Sequence, residues 1–170
     1  MPSPAPPSPE PHAADSSLPV LGQGFYWQDL SVGQRFRTFR RTVTEADLVS
    51  FIGVTGMLEA IFIDAHFDGA MAGRPVPGAL TYSLVEGMLF QTMVQGTGLA
   101  MLEVQQRALA PVIVGDTIHA VVEVTELRPT SKGNRAVLGS AITVLNQRDQ
   151  AVMTYTVKRL LAGRPEPAGR

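Results

Sequence analysis

Three side chains that can transfer protons lie close together in the stretch TGMLEAIFIDAHFDGAMAGRPVPGAL, residues 55–80. They are Glu59, Asp64 and His66. Glu59 has apolar sequence neighbours, and apolar surroundings raise a carboxyl pKa toward the range that suits general acid–base catalysis. The alternative is a Glu59 on a loop surface, an Asp64 that bonds its own loop backbone and a hydrogen-bonded, structural His66.

Two further candidates lie in GALTYSLVEGMLFQTMVQ, residues 78–95, a stretch that contains no proline. It is apolar on nearly all sides, which predicts a buried helix. Gly78 at its start offers a free backbone N–H to a ligand oxygen, unless it only permits the turn after Pro77. Glu86 lies about two turns into the helix, where an unpaired charge is costly. It is either an acid that activates water or a carboxylate bonded to a strand residue or to a partner helix.

Composition narrows the classes of function. The formal net charge is −1, which gives no sign of a nucleic-acid or membrane-surface partner. There is no cysteine, which excludes disulfides and thiolate nucleophiles and fits a reducing cytoplasm. The histidines at positions 12, 66 and 119 are too widely separated to form a metal site of recognisable spacing.

The 170 residues suggest one domain with tails. Residues 1–24 begin with MPSPAPPSPEPHAADSSLP, which is too poor in apolar side chains to offset its ordering entropy, so a disordered tail is predicted there. It has no basic region before an apolar run, so it does not predict a secretory signal. The domain is expected over residues 25–162, and a short tail over 163–170.

The periodicity of apolar residues predicts the helices and strands that position these candidate residues. A strand is predicted over 35–43, then a short helix that Thr44 caps and that ends at Gly53 and Gly56. Residues 57–77 are expected to be irregular. Four more strands are predicted over 99–109, 116–127, 135–147 and 151–161. In the second of these, alternation places His119 on the polar face, where we expect it to be solvated. An antiparallel sheet wrapped around one central helix, an α+β fold, is the simplest way to bury that helix.

The order of elements and five local motifs resemble the hotdog-fold MaoC-like dehydratases, the family of R-specific enoyl-CoA hydratases. The motifs are QDLSVGQRF (28–36), TVTEADLVSFIGVTG (42–56), GRPVPGALTYSLVEGM (73–88), APVIVGDTIHAVVEVTEL (110–127) and VLNQRDQAVM (144–153). The resemblance implies an acyl-CoA or acyl-carrier thioester as ligand, with no cofactor apart from the CoA of the substrate. It also implies a homodimer or higher homo-oligomer with the site at the subunit interface.

The chain departs from that family at the catalytic motif. The family usually carries Gly-Asp-x-Asn-Pro-x-His after the short helix, and here residues 56–62 read GMLEAIF. The usual Asp falls on Met57 and the usual His on Phe62, and neither side chain transfers a proton. The later His-Gly-Met reads Pro77-Gly78-Ala79, so only Gly78 matches there.

The first hypothesis is therefore a divergent hydratase or dehydratase in which Gly78 binds the thioester oxygen and Glu59 acts as acid/base with His66. A second is a thioesterase that uses Glu86, and a third is a non-catalytic thioester binder. A cavity lined by Glu59 favours the first; Glu59 in solvent, with Met57 and Phe62 filling the site, favours the third. The candidates for substrate binding are Asp64, Arg74, Pro77 and Tyr82, with Arg74 suited to phosphate and Tyr82 also suited to packing.

Overall fold

The computed structural model describes residues 19–64, 66–68 and 73–166. Within these ranges the chain forms one turn of 3₁₀ helix, three α-helices and six strands. They are, in order, the 3₁₀ helix Trp27–Asp29, β1 Arg35–Arg37, β2 Arg41–Thr42, α1 Glu45–Thr55, α2 Ala60–Ile63, α3 Gly78–Phe90, β3 Gly98–Ala108, β4 Thr117–Pro129, β5 Arg135–Leu145 and β6 Ala151–Ala162.

The strands form an antiparallel sheet in the order β1-β4-β5-β6-β3, and β2 also pairs with β4. The register places Val122 opposite Ile142, and Ile142 opposite Tyr155. All three side chains are buried, so this register aligns the apolar sets of β4, β5 and β6 on one face. The sheet ends at β3, which pairs with β6 and is exposed along its whole length.

Helix α3 lies against that apolar face. Its buried apolar residues are Leu80, Leu84, Val85, Met88 and Leu89. They belong to one core cluster with the inward side chains of the sheet, among them Ile118, Val122, Leu138 and Val157. Each such side chain contributes roughly 1.5–3 kcal/mol when fully buried. The predicted α+β fold, a sheet wrapped around a central helix, is confirmed, although the helix ends at Phe90 and turns fill the rest of the predicted range.

Helix α1 begins and ends largely as predicted. Thr44 caps it: its hydroxyl accepts the N–H of Asp47, and the Asp47 carboxylate accepts the N–H of Thr44. The helix passes through Gly53 and ends at Gly56, which has a φ of 72° and bonds the carbonyl of Ile52. The prediction that Gly53 helps to end the helix is therefore wrong, since a glycine inside a helix is tolerated at some cost.

The predicted strand over 35–43 is two short strands with a break at Thr38. The N–H of Thr38 donates to the carbonyl of Ala120, and the Thr38 hydroxyl accepts the N–H of Ala120. The hydroxyl thus replaces a backbone acceptor in the ladder, and β1 and β2 pair with β4 on either side of this point.

The expectation that His119 is solvated is wrong. Its side chain is 3% exposed, and its Nδ1 has no hydrogen-bond partner among the described residues. The alternation of β4 is as predicted, with Ile118 and Ala120 facing the core, but the outward face is covered at this point. Burial lowers the pKa of His119, and the nearby charge of Arg40 lowers it further.

The predicted tails fall largely on residues 1–18 and 167–170, which lie outside the described residues. The described parts make contacts with the domain. The N–H of Gly24 donates to the carbonyl of Gln95 at 2.8 Å, and Arg164 forms an ion pair with Asp29. In the described ranges, no helix is long and apolar enough to cross a membrane.

Candidate functional site

A cavity of about 430 Å³ lies at the N-terminus of α3. Its wall combines the start of α3, the middle of α2, the end of β3 with the segment that follows it, and the start of β6. The lining residues are Ile61, Phe62, Pro75, Val76, Pro77, Gly78, Thr81, Ala108, Leu109, Ala110, Pro111, Val112, Val152 and Met153. Among the described residues of this wall, Thr81 alone has a polar side chain and no side chain titrates. The cavity therefore suits an apolar chain.

Backbone pairing brings distant parts of this wall together. The N–H of Val76 donates to the carbonyl of Val112 at 2.8 Å, and Pro75 forms an antiparallel bridge with Ile113. These bonds hold the segment before α3 against the segment after β3. Sequence reasoning identified Pro77 and Gly78 but not the wall around Val112. No local sequence pattern indicates that two segments more than 30 residues apart form backbone hydrogen bonds.

Gly78 is the first residue of α3, and Pro77 precedes it as the N-cap without a side-chain cap. The carbonyl of Pro77 accepts the N–H groups of Leu80 and Thr81. The N–H groups of Gly78 and Ala79 have no backbone acceptor among the described residues, and the helix dipole adds partial positive charge there. The predicted position of Gly78 at the start of the buried helix is confirmed. Pro77 and Gly78 also line the cavity.

The wall of the cavity is open to a ligand at Gly78. A Cβ built on Gly78 would meet only the Cε of Met153, at 3.9 Å. This is an ordinary van der Waals distance, so neither the turn nor the packing of the protein requires a glycine at this position. The absence of a side chain leaves space beside the backbone of the first helical turn.

Glu59 is the N-cap residue of α2 and is exposed. Its carbonyl accepts the N–H groups of Phe62 and Ile63, and its side chain makes no capping bond. Of the two environments weighed for Glu59 from the sequence, the structure shows the exposed one, since Ile61 and Phe62 line the cavity and Glu59 lies at the surface. Met57, at the usual position of the family's Asp, is 40% exposed and lies outside the cavity wall.

Asp64 and His66 form a local turn after α2. The N–H of His66 donates to the Asp64 Oδ1 at 2.9 Å, which is the loop bond weighed for this Asp from the sequence. The contact uses the backbone of His66 rather than its imidazole ring. Both residues are exposed, and the structure places neither in the cavity wall.

Arg74 fastens α2 to its surroundings. Its Nε and Nη2 donate to the carbonyl of Phe62 at 3.2 and 2.9 Å, and its Nη1 forms an ion pair with Glu45 at the start of α1. These contacts occupy the guanidinium fork with protein groups. In the structure Arg74 therefore makes structural contacts beside the cavity. Its predicted role in binding a phosphate stays a prediction.

Glu86 lies in the core and away from the cavity wall. Arg159 binds its carboxylate through both Nη atoms at 2.7 Å, and the hydroxyl of Tyr155 donates to its Oε1 at 2.7 Å. Burial and the negative charge of Glu86 raise the pKa of Tyr155, and the Glu86 carboxylate raises the pKa of Arg159 against the opposing effect of burial. This is the carboxylate bonded to strand residues that the sequence left open as an alternative.

Tyr82 also lies outside the cavity wall. Its ring packs edge-on against Tyr155, with the ring centroids 5.2 Å apart, and its hydroxyl points to the sulfur of Met101 on β3 at 3.4 Å. Burial raises the pKa of Tyr82, as does the charge of Glu86. Its contacts are those of a packing residue between α3 and the sheet.

The fold and the cavity together define an α+β protein whose central helix opens with its N-terminus on an apolar cavity. The family described as "MaoC like domain" matches residues 29–144. The chain belongs to the MaoC-like dehydratase family, as the five motifs indicated.

Two similar proteins of named activity agree with this assignment. A 3-hydroxybutyryl-CoA dehydratase from Methylorubrum extorquens is 29% identical over 147 residues, which are 79% of this chain and 92% of that protein. An (R)-specific enoyl-CoA hydratase from Aeromonas caviae is 33% identical over 132 residues, which are 69% of this chain and 97% of that protein. The predicted relationship to acyl-CoA hydratases and dehydratases is confirmed at the level of the family.

The fold has a close structural counterpart. A solved structure of a conserved protein from Mycobacterium tuberculosis, described as a double hotdog fold, superposes with a TM-score of 0.76 at 22% identity. The match covers 86% of this chain and 47% of that one. At this identity the likeness concerns the fold alone, and it confirms the predicted hotdog architecture.

Proposed function

We propose that the protein binds an acyl-CoA thioester in the cavity at the start of α3 and adds or removes water there, as a hydratase or dehydratase. The observation that carries the proposal is the position of Gly78, whose backbone opens into an apolar cavity at a helix N-terminus. The named relatives support the reaction class and the CoA carrier. An acyl-carrier thioester is the variant of this ligand that the same cavity would accept.

The backbone of the first helical turn suits a thioester oxygen. In the reaction, negative charge grows on that oxygen as an enolate forms, and a preorganised N–H stabilises it more than it stabilises the ground state. The acyl chain would lie against the apolar wall, which contributes affinity by burial. Water addition moves only protons and a hydroxyl group, so we propose that no cofactor is needed apart from the CoA of the substrate.

The acid/base must come from beside the cavity, since no described side chain in the wall titrates. We assign it to Glu59, with His66 as its partner, because both lie on the segment that carries the wall residues Ile61 and Phe62. In hydration the base removes a proton from water, the oxygen bonds to C3 of the enoyl group, and the proton is delivered to C2. The exposure of Glu59 leaves its carboxylate accessible to a ligand that covers this segment.

Binding without turnover is the second candidate. It is supported by the exposure of Glu59 and by the described wall of the cavity, where Phe62 stands at the usual position of the family's His and no acidic side chain is present. The thioesterase alternative has less support, because both carboxylate oxygens of Glu86 are engaged and the residue lies outside the wall.

The first test compares Gly78→Ala with wild type, using 2-butenoyl-CoA as substrate. The new Cβ fits the fold but occupies the space beside the first turn, so we expect stability to be unchanged and hydration to fall on the order of 10²-fold, the usual effect of a displacement of about 1 Å. Gly87→Ala is the matched control in the same helix, where a Cβ meets nothing within 4 Å. Equal activity in Gly78→Ala and wild type would contradict the proposed site.

Glu59→Gln separates the two candidates. If Glu59 is the acid/base, the variant binds 2-butenoyl-CoA with unchanged affinity but hydrates it more slowly by about 10²–10⁴-fold. If wild type binds the thioester and neither hydrates nor hydrolyses it, the protein has kept the binding site alone.

We also propose a homodimer formed through β3. This edge strand is eleven residues long and exposed throughout, and several of its exposed residues are apolar: Leu99, Met101, Leu102 and Val104. A long apolar edge strand is a template for pairing with another chain, and a second copy of this protein would cover it.

We also propose a cytoplasmic location, in keeping with the absence of cysteine.

Val104→Lys tests the dimer, since a charge on an edge strand opposes pairing. We expect wild type to sediment as a dimer in analytical ultracentrifugation and the variant to shift toward monomer. Val32→Lys, at an exposed apolar residue outside β3, is the control and should leave the mass unchanged. A monomeric wild type at all concentrations would contradict the proposal.

A further inference from the structure

Phe62 carries the largest side chain in the cavity wall. It is partly buried, packs against the core cluster, and lies on α2, a helix of four residues that has no place in the sheet. Its neighbour Ile63 is 51% exposed and does not line the cavity. A short helix has little stability of its own, so the position of Phe62 depends on tertiary contacts.

Arg74 supplies those contacts. Two of its nitrogens donate to the backbone carbonyl of Phe62, and the third pairs with Glu45 on α1. Such charge-assisted bonds to one carbonyl fix both the distance and the orientation of the acceptor. The ion pair in turn fixes the guanidinium, so that Phe62 is held through its own backbone while its ring stays against the cavity.

We propose that Phe62 determines which acyl chains the cavity accepts, excluding longer chains, and that Arg74 is the positioning residue that holds it there. This inference rests on the proposed binding of an acyl thioester. The rest of the wall consists of smaller side chains, so the ring of Phe62 is the largest group whose removal can extend the cavity. An acyl chain that reaches the space now filled by the ring gains burial for each added methylene.

The test measures binding of acetyl-, butyryl-, hexanoyl- and octanoyl-CoA to the full chain by isothermal titration calorimetry. We expect Phe62→Ala to raise the affinity for hexanoyl-CoA relative to butyryl-CoA by about 16-fold compared with wild type. This follows from about fourfold per buried methylene, the equivalent of about 0.8 kcal/mol. Ile63→Ala, on the same helix, should leave the ratio unchanged.

Arg74→Gln and Arg74→Lys test the positioning role. We expect both to relax the preference in the direction of Phe62→Ala, because neither side chain can make two bonds to the Phe62 carbonyl and still pair with Glu45 as arginine does. A merely structural role would lower the stability of the variants without changing the ratio of the hexanoyl and butyryl affinities. Far-ultraviolet circular dichroism checks that each variant is folded.

The outcomes separate this inference from the proposed function. If wild type binds acyl-CoA and Phe62→Ala leaves the chain-length ratio unchanged, the inference is overturned while the proposed site stands. If the ratio changes in Phe62→Ala but not in the Arg74 variants, the positioning role is overturned. If wild type binds none of the four thioesters, both the proposed function and this inference fail.

Discussion

Replacement of Glu86 by glutamine is predicted to destabilise the protein strongly. Glu86 is 6% exposed and Arg159 is 4% exposed, and two hydrogen bonds of 2.7 Å join them. Glutamine keeps the shape of the side chain and an oxygen that accepts from Tyr155, but it removes the negative charge. Arg159 then stays buried with its charge uncompensated, because its guanidinium does not lose its proton in a protein.

The size of the effect follows from that burial. Removal of one partner of a buried ion pair costs about 3–5 kcal/mol, whereas an exposed pair is worth about 0–1 kcal/mol. In a domain of about 150 residues, each kcal/mol shifts Tm by about 2–4 °C, so the expected loss is roughly 6–20 °C. The double variant Glu86→Gln/Arg159→Met removes both charges, and we expect it to recover most of the lost stability.

Urea unfolding followed by circular dichroism, at one protein concentration for all variants, measures these differences. A loss below about 1 kcal/mol in Glu86→Gln would refute the reasoning, since the pair would then behave as an exposed one. A double variant no more stable than the single one would refute the assignment of the cost to the unpaired arginine. The same Glu86→Gln protein tests the thioesterase alternative, which requires turnover to disappear while the fold survives.

Two smaller effects follow from single residues. Burial lowers the pKa of His119 below its usual 6.5, so near that pH the unfolded chain binds more protons than the folded one. The contribution of neutral His119 to the free energy of unfolding is therefore fully present above about pH 6.5, and it is lost as the pH falls toward the folded pKa. Urea midpoints at about pH 7.5 and pH 5.5 should differ less in His119→Gln than in wild type, and an unchanged difference would contradict this cause. Thr44→Ala removes the cap of α1 and should cost about 1 kcal/mol by the same assay, whereas Thr55→Ala, at the exposed end of the helix, should cost less.

The fold could be predicted from the sequence wherever one hydrophobic period, that of a helix or of a strand, dominates a segment. The alternation of β4 identified its inward residues, and the all-round apolar run from Gly78 identified the central helix. The burial of His119 was not accessible in this way. Its parity on β4 is as predicted, but its surroundings include residues about 30 to 80 positions away in the sequence, among them the charged side chains of Arg40 and Asp149.

The candidate site was accessible in part for a similar reason. A glycine at the start of an apolar helix is a local signal, and Gly78 lies where it was predicted. Glu59 and Glu86 both have apolar neighbours in sequence, yet one is exposed and the other is buried and fully paired. Sequence neighbours do not distinguish these cases, because the environment of a carboxylate is set by what packs on it in three dimensions.

That contrast bears on the chemistry the protein has retained. Affinity for an acyl thioester needs only an apolar wall and an N–H donor at the start of α3, and the protein has both. Turnover needs in addition a proton-transfer group held against C2 and C3, and the described wall contains none. Binding and catalysis are therefore separable here. If Gly78→Ala weakens binding of the thioester and Glu59→Gln slows only its turnover, the acid/base lies on the α2 segment. If Glu59→Gln changes neither binding nor turnover, the cavity is a binding site alone.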